Sequence, residues 1–228
     1  MAGGQPGQSA SAAVGAALAR FGDEALAELQ RVHQAREEAL ASCRVTIRAC
    51  GLSIRAVHRL QPDVARRRAS EAEDALRRAQ QALAPHSTLA AAGFLHDAEK
   101  EYAEARLTAA LVAVEPVPGP GDLHVGLPAW LNGLAEAASE LRRSLLDRLR
   151  GGDLAAAERL LSAMEDVYDL LVTVEFPDAI TGGLRRTTDA LRAVLERSRS
   201  DLTTTVLQAR LQRALRAVAA PGAESRGD

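Results

Sequence analysis

LASCRVTIRACGLSIRAV, running from Leu40 to Val57, decides the fold. Its apolar residues Leu40, Cys43, Ile47, Cys50, Ile54 and Val57 recur at alternating steps of three and four. That spacing lines one face of an α-helix and repeats every heptad, whereas a half-buried strand alternates every second residue. Cys43 and Cys50 lie on this seam and read as small core hydrophobes, not as a redox or metal pair. Two cysteines without further ligands nearby exclude both a disulfide scaffold and a zinc site. Gln61-Pro62 closes the helix, because the residue before proline is biased away from the helical region.

The rest of the 228-residue chain agrees with this beginning. Hydrophobic residues make up 47% of it but aromatics only 3%, so the core is built from Ala, Leu and Val, and the composition argues against a sandwich or barrel. The 28 basic and 30 acidic side chains leave a net charge of −2, which rules out a uniformly basic nucleic-acid coat. Lys100 is the only lysine; every other basic residue is arginine. No apolar run approaches the ~20 residues of a membrane span and no secretory leader pattern opens the chain, so a cytoplasmic protein is expected.

Residues 1–12 are rich in Gly, Ser, Gln and small apolars and read as a disordered tail, as do 220–228, leaving one helical domain over 13–219. Helical patterning sets in near Asp23 and runs into the seam. Ser70-Glu-Ala-Glu73 has the form of a capping box opening a second helix, and Ser87 of a cap for a third that reaches Val114. EPVPGPGDLHVGLP, Glu115 to Pro128, is the strongest interruption. Pro128 suits the first turn of the next helix, which ends at Gly151-Gly152; Asp153 caps another. Pro177 to Gly183 makes a turn before a last long helix. The expected architecture is an all-α, single-domain bundle of six or seven helices.

Two of these helices carry unusual acids. Asp97, Glu101 and Glu104 stand at i, i+4 and i+7, within roughly 200–260° on a helical wheel with Tyr102 at zero. Only Lys100 offers compensating charge nearby, and crowded carboxylates in partly apolar surroundings call for protonation or a bound cation. Across the Pro/Gly loop, Glu136 and Glu140 share a face with Asn132, Gly133, Arg143 and Asp147, which periodicity alone reads as solvated. The loop makes the two helices antiparallel neighbours, able to aim four carboxylates at one point suited to Mg²⁺ or Mn²⁺. The pattern is equally that of two solvated acid stripes. Arg66-Arg67-Arg68, Arg142-Arg143 and Arg185-Arg186 are candidate phosphate contacts or plain surface charge. The five histidines are scattered, and no P-loop, dinucleotide or nucleophile-elbow motif occurs.

The order of these segments resembles the family of translin and translin-associated factor X. R-E-E-A-L (Arg36 to Leu40) and L-S-I-R-A-V-H (Leu52 to His58) resemble its first long helix. K-E-Y-A-E-A (Lys100 to Ala105) is similar to the factor's Q-E-Y-V-E-A, and W-L-N-G-L-A-E-A-A-S-E-L (Trp130 to Leu141) to Y-L-L-G-V-A-D-L-T-G-E-L. G-G-D at Gly151 to Asp153 and V-Y-D at Val167 to Asp169 follow in order.

The resemblance implies a translin-like protomer of a closed, hollow shell, either a homo-oligomer of six to eight chains or a hetero-oligomer with a second family member. It implies binding of single-stranded RNA, and of single-stranded DNA, with Arg66, Arg67, Arg68, Arg142 and Arg143 as candidate contacts where they face inward. On the factor's side it implies a Mg²⁺-dependent endoribonuclease, Mn²⁺ serving as well. Glu101, Glu104 and Glu136 are then metal ligands, Glu140 is a fourth ligand or the group orienting water, and Asp97 is an outer partner. One departure is visible: the factor carries Asp where this chain has Glu136, one methylene longer. The alternatives are a non-catalytic single-stranded RNA or DNA binder like translin, and a structural helical subunit whose acids are solvated.

Overall fold

A computed structural model gives the fold and describes residues 6–90 and 93–219. Among them every regular element is a helix: α1 (Pro6–His58), α2 (Pro62–Leu83), α3 (Ser87–Ala90), α4 (Gly93–Ala113), α5 (Pro120–Leu123), α6 (Leu127–Arg150), α7 (Leu154–Val172), α8 (Asp178–Thr181) and α9 (Leu184–Ala219). Six are long and three are single turns of four residues, so the expected bundle of six or seven is met by the long ones. None of the described helices is long and apolar enough to cross a membrane.

Several boundaries differ from the sequence reading. α1 begins at Pro6, so residues 6–12 of the expected tail are helical; residues 1–5 and 220–228 lie outside the described ones. α2 starts eight residues before Ser70, at Pro62, which supplies the preset φ and the missing N–H suited to a first turn. Ser70 and Glu73 thus sit mid-helix on the surface. The single helix expected from Ser87 to Val114 is two, α3 and α4. Pro128 lies in the first turn of α6, and the Asp153 carboxylate accepts from the Ala156 amide at 3.0 Å, capping α7 as expected.

The α1 seam is buried, but one step off. Ala39, Cys43, Cys50, Ile54 and Val57 are in the core, while Ile47 is partly exposed and Thr46 is fully buried beside it. Small residues win there because α2 packs close: Ala72, Ala75 and Ala79 of α2 are fully buried, and the Thr46 hydroxyl contacts the carbonyls of Ser42 and Ala72. Ser53 donates to the Ala65 carbonyl at 2.9 Å in the same interface. α4 lies on α1 and α6 around Tyr102, Leu107 and Leu134, and α6, α7 and α9 meet around Leu141, Leu145, Met164 and Leu195. Burial of such side chains, roughly 1.5–3 kcal/mol each, is the main force holding the bundle.

Two helix ends project from this core with apolar stripes uncovered. Val14, Leu18, Phe21, Leu26 and Leu29 are exposed along the first half of α1, and Leu207, Leu211, Leu215 and Val218 along the end of α9. Both recur at helical spacing, which leaves continuous apolar faces on the isolated chain.

Candidate metal centre

The site forms where α4 crosses α6. The Gly126 amide just before α6 donates to Glu99, Ala103 abuts Gly133, and Leu111 packs on the cluster of Leu141 and Leu145, so numbers rise together on the two helices. They run parallel, not antiparallel as expected, because residues 114–126 carry the chain back along α4 before α6 begins. Gly133 sets their separation. A Cβ built there would lie 2.8 Å from the Ala103 Cβ and the Lys100 carbonyl oxygen, and 2.9 Å from the Glu104 amide nitrogen. Only glycine permits this approach. Asn132 beside it is buried too, donating to the carbonyls of Pro128 and Thr181 at 2.8 Å and accepting from the Thr187 hydroxyl at 2.8 Å. The solvated reading of this part of α6 is therefore corrected: α8 and α9 supply partners that a single-helix wheel does not contain.

Glu101, Glu104 and Glu136 each place one carboxylate oxygen within 4.8 Å of the others. Glu104 is the buried member, 9% exposed, and Glu101 and Glu136 are half-buried. Burial, together with the charges of Glu101, Glu136 and Glu140, pushes the Glu104 carboxyl up to about 8. Lys100 reaches into the same cluster: its Nζ donates to both Glu136 oxygens, at 2.8 and 2.6 Å, and stands 3.4 Å from Glu101 Oε1. Burial pulls that ammonium's pKa down, but the Glu136 hydrogen bond and the charges of Glu136, Glu101 and Glu104 outweigh it and leave the net shift upward.

Glu140 stands one turn further along α6 and is held separately. His58, at the last position of α1, shares a 2.7 Å hydrogen bond between its Nε2 and Glu140 Oε2. The imidazole is almost sealed, its side chain 3% exposed, and its buried Nδ1 has no partner. Sequence reasoning passed over His58, since nothing in one helix shows that its end meets another helix's acid 82 residues away. Cys50 lies behind the centre, its thiol raised by burial and then by Glu101 and Glu104.

Other candidates fall elsewhere. Asp97 is exposed and outside the cluster. Arg142 is engaged within the chain, donating to Asp201 at 2.7 Å and to Ser198 at 3.2 Å, which ties α6 to α9. Arg66 and Arg68 pair with Asp63 and Glu71 on the surface of α2, while Arg67 and Arg143 are exposed. Glu99 is on another face of α4, accepting from Gln80 at 2.9 Å and from the Gly126 amide at 3.2 Å.

The donor set suits a hard divalent cation. It offers carboxylate oxygens only, from two rigid helices, and it already gathers one cation, the Lys100 ammonium.

AfC3PO, whose structure is known alone and as a duplex RNA complex, is 32% identical to this chain; in the complex the match covers 83% of this chain and 97% of that one, with a TM-score of 0.74. The chain belongs to the family of translin and translin-associated factor X. NeC3PO, in its apo form, shares the fold at 17% identity and a TM-score of 0.73. A protein of Methanocaldococcus jannaschii, the uncharacterised MJ0175, is 27% identical over 188 residues, 80% of this chain and 82% of its own length. No family model matches the chain. The acids on α4 and α6 occur in the order the sequence motifs suggested.

Proposed function

We propose that the protein is an oligomeric RNA-binding protein that cleaves single-stranded RNA in a Mg²⁺- or Mn²⁺-dependent endoribonuclease reaction. The observation that carries this reading is the convergence of Glu101, Glu104 and Glu136 from two helices on one point already holding a positive charge. These three would hold the cation. When bound, it supplies a Lewis acid for the phosphate and a more acidic water. Glu104, the buried member, would be the deepest ligand and would hold the cation as a carboxylate. Glu140, fixed by His58, orients water at the edge of the centre. RNA binding is inferred from the 32% identity to AfC3PO, which is seen in complex with duplex RNA. Assembly is inferred from the uncovered stripes on α1 and α9, which a second copy would bury.

The duplex in the AfC3PO complex favours a second reading, in which the protein binds RNA of either form without cutting it. One assay separates the two. Labelled single-stranded RNA and a duplex of equal length are incubated with pure protein in Mg²⁺ and in EDTA. The first reading expects internal cuts in the single strand that vanish with EDTA. Binding of both RNAs without cleavage in Mg²⁺ or Mn²⁺ replaces it with the second.

A further inference from the structure

We propose that Lys100 is a tethered cation that occupies the carboxylate centre in place of the divalent metal, so that displacing it sets the metal affinity of the site. The inference rests on the metal-binding reading above and goes beyond it, because it assigns a role to a residue that is not a ligand. Three observations carry it. First, the Nζ of Lys100 engages both oxygens of Glu136, at 2.8 and 2.6 Å, and lies 3.4 Å from Glu101, so it takes up the donors that a metal would need. Second, Lys100 is the only lysine among 28 basic residues. A lysine carries a compact point charge on a flexible stem, which can enter a cluster of carboxylates and leave it, whereas a guanidinium is a broad, planar fork. Third, the half-buried ammonium is the only basic group paired with the three acids among the described residues: Arg142 is committed to Asp201, and His58 is bonded to Glu140.

The physical consequence is competition. The lysine's backbone holds its ammonium beside the site, so its effective concentration there is high and the metal-free centre is partly neutralised. A divalent ion must break the Glu136 contacts and then lie beside a like charge, an electrostatic cost that a partly buried setting screens poorly. Metal entry and lysine exit are therefore one event, and Lys100 sets the metal concentration at which the site fills.

The test measures Mn²⁺ binding to the RNA-free protein by calorimetry and by loss of the free-ion paramagnetic signal. Lys100→Met keeps most of the stem and removes the charge; Lys100→Arg keeps the charge; Lys100→Gln is a smaller neutral variant should the thioether disturb packing, with circular dichroism as the check on fold. The neutral variants are expected to bind Mn²⁺ about tenfold tighter or more than the wild type, and Lys100→Arg no tighter than it. In EDTA the neutral variants melt lower than wild type, and saturating Mn²⁺ restores them. Equal or weaker Mn²⁺ affinity in folded Lys100→Met and Lys100→Gln overturns the role of Lys100 while leaving the metal site standing. Absence of Mn²⁺ binding in wild type and neutral variants alike overturns both.

Discussion

Glu104 makes the metal-free protein sensitive to pH in a direction opposite to that of an ordinary ion-paired carboxylate. Its carboxyl is raised from 4.5 to about 8 by burial and by Glu101, Glu136 and Glu140, with Lys100 opposing. The folded state thus binds more protons than the unfolded chain between those two values, and stability falls as pH rises through that window. The stabilisation is fully present below about pH 4.5 and lost above about pH 8. At roughly 1.4 kcal/mol per pKa unit, the span amounts to a few kcal/mol, shared with the neighbouring acids. For a chain of this size that corresponds to a fall in Tm on the order of 10 °C. The perturbation is Glu104→Gln, which keeps shape and loses the charge. Thermal melts in EDTA across pH 5 to 9 should show a falling Tm for wild type and a nearly level one for the variant, which is the more stable at pH 8. Mn²⁺ at pH 8 should restore the wild type, with proton release on binding, and leave Glu104→Gln unchanged. A level wild-type profile, or the same slope in the variant, refutes the assignment of the buried charge to Glu104.

Gly133→Ala forces apart two helices whose backbones leave no room for a Cβ, and should cost about 1–3 kcal/mol and weaken Mn²⁺ binding by shifting Glu136 relative to Glu101 and Glu104; melting and calorimetry check both. Glu99→Gln removes the charge from an acid on the other face of α4 and weakens its hold on Gln80 and the Gly126 amide. It should lower Tm by a few degrees, at about 1 kcal/mol, and leave Mn²⁺ affinity and cleavage untouched. Replacing Leu18 and Leu26, or Leu211 and Leu215, by serine should reduce the assembled mass in light scattering with little loss of helix, since these side chains contribute nothing to the core of one chain. A monomeric wild type at micromolar concentration would contradict the assembly reading.

The helices were legible because their signal is local. A three-four spacing needs no partner to be recognised, and Pro62, Pro128 and Asp153 mark ends by their own backbone chemistry. Errors arose where a partner decides. Ile47 looked like the seam residue by apolarity, yet close approach of α2 favours a small side chain whose hydroxyl meets a carbonyl, and Thr46 is buried instead. Ser70 looked like a cap, but the helix was already under way from Pro62. The acids of α4 and α6 were found from their periodicity and family motifs. Their environment was not: Asn132 and Gly133 read as polar surface until α8, α9 and the backbone of α4 surround them. Asp97 shares the wheel sector of Glu101 and Glu104 but is exposed and stands outside their cluster. His58 and Lys100 gained their meaning only from contacts across helices.

Crystals grown with Mn²⁺, measured at a wavelength where manganese scatters anomalously, test the central claim most directly. The account predicts one strong anomalous peak within coordination distance of Glu101, Glu104 and Glu136, with the Lys100 ammonium withdrawn from Glu136. A fully Mn²⁺-saturated crystal with no peak there, and Lys100 still bridging Glu136 and Glu101, would contradict it.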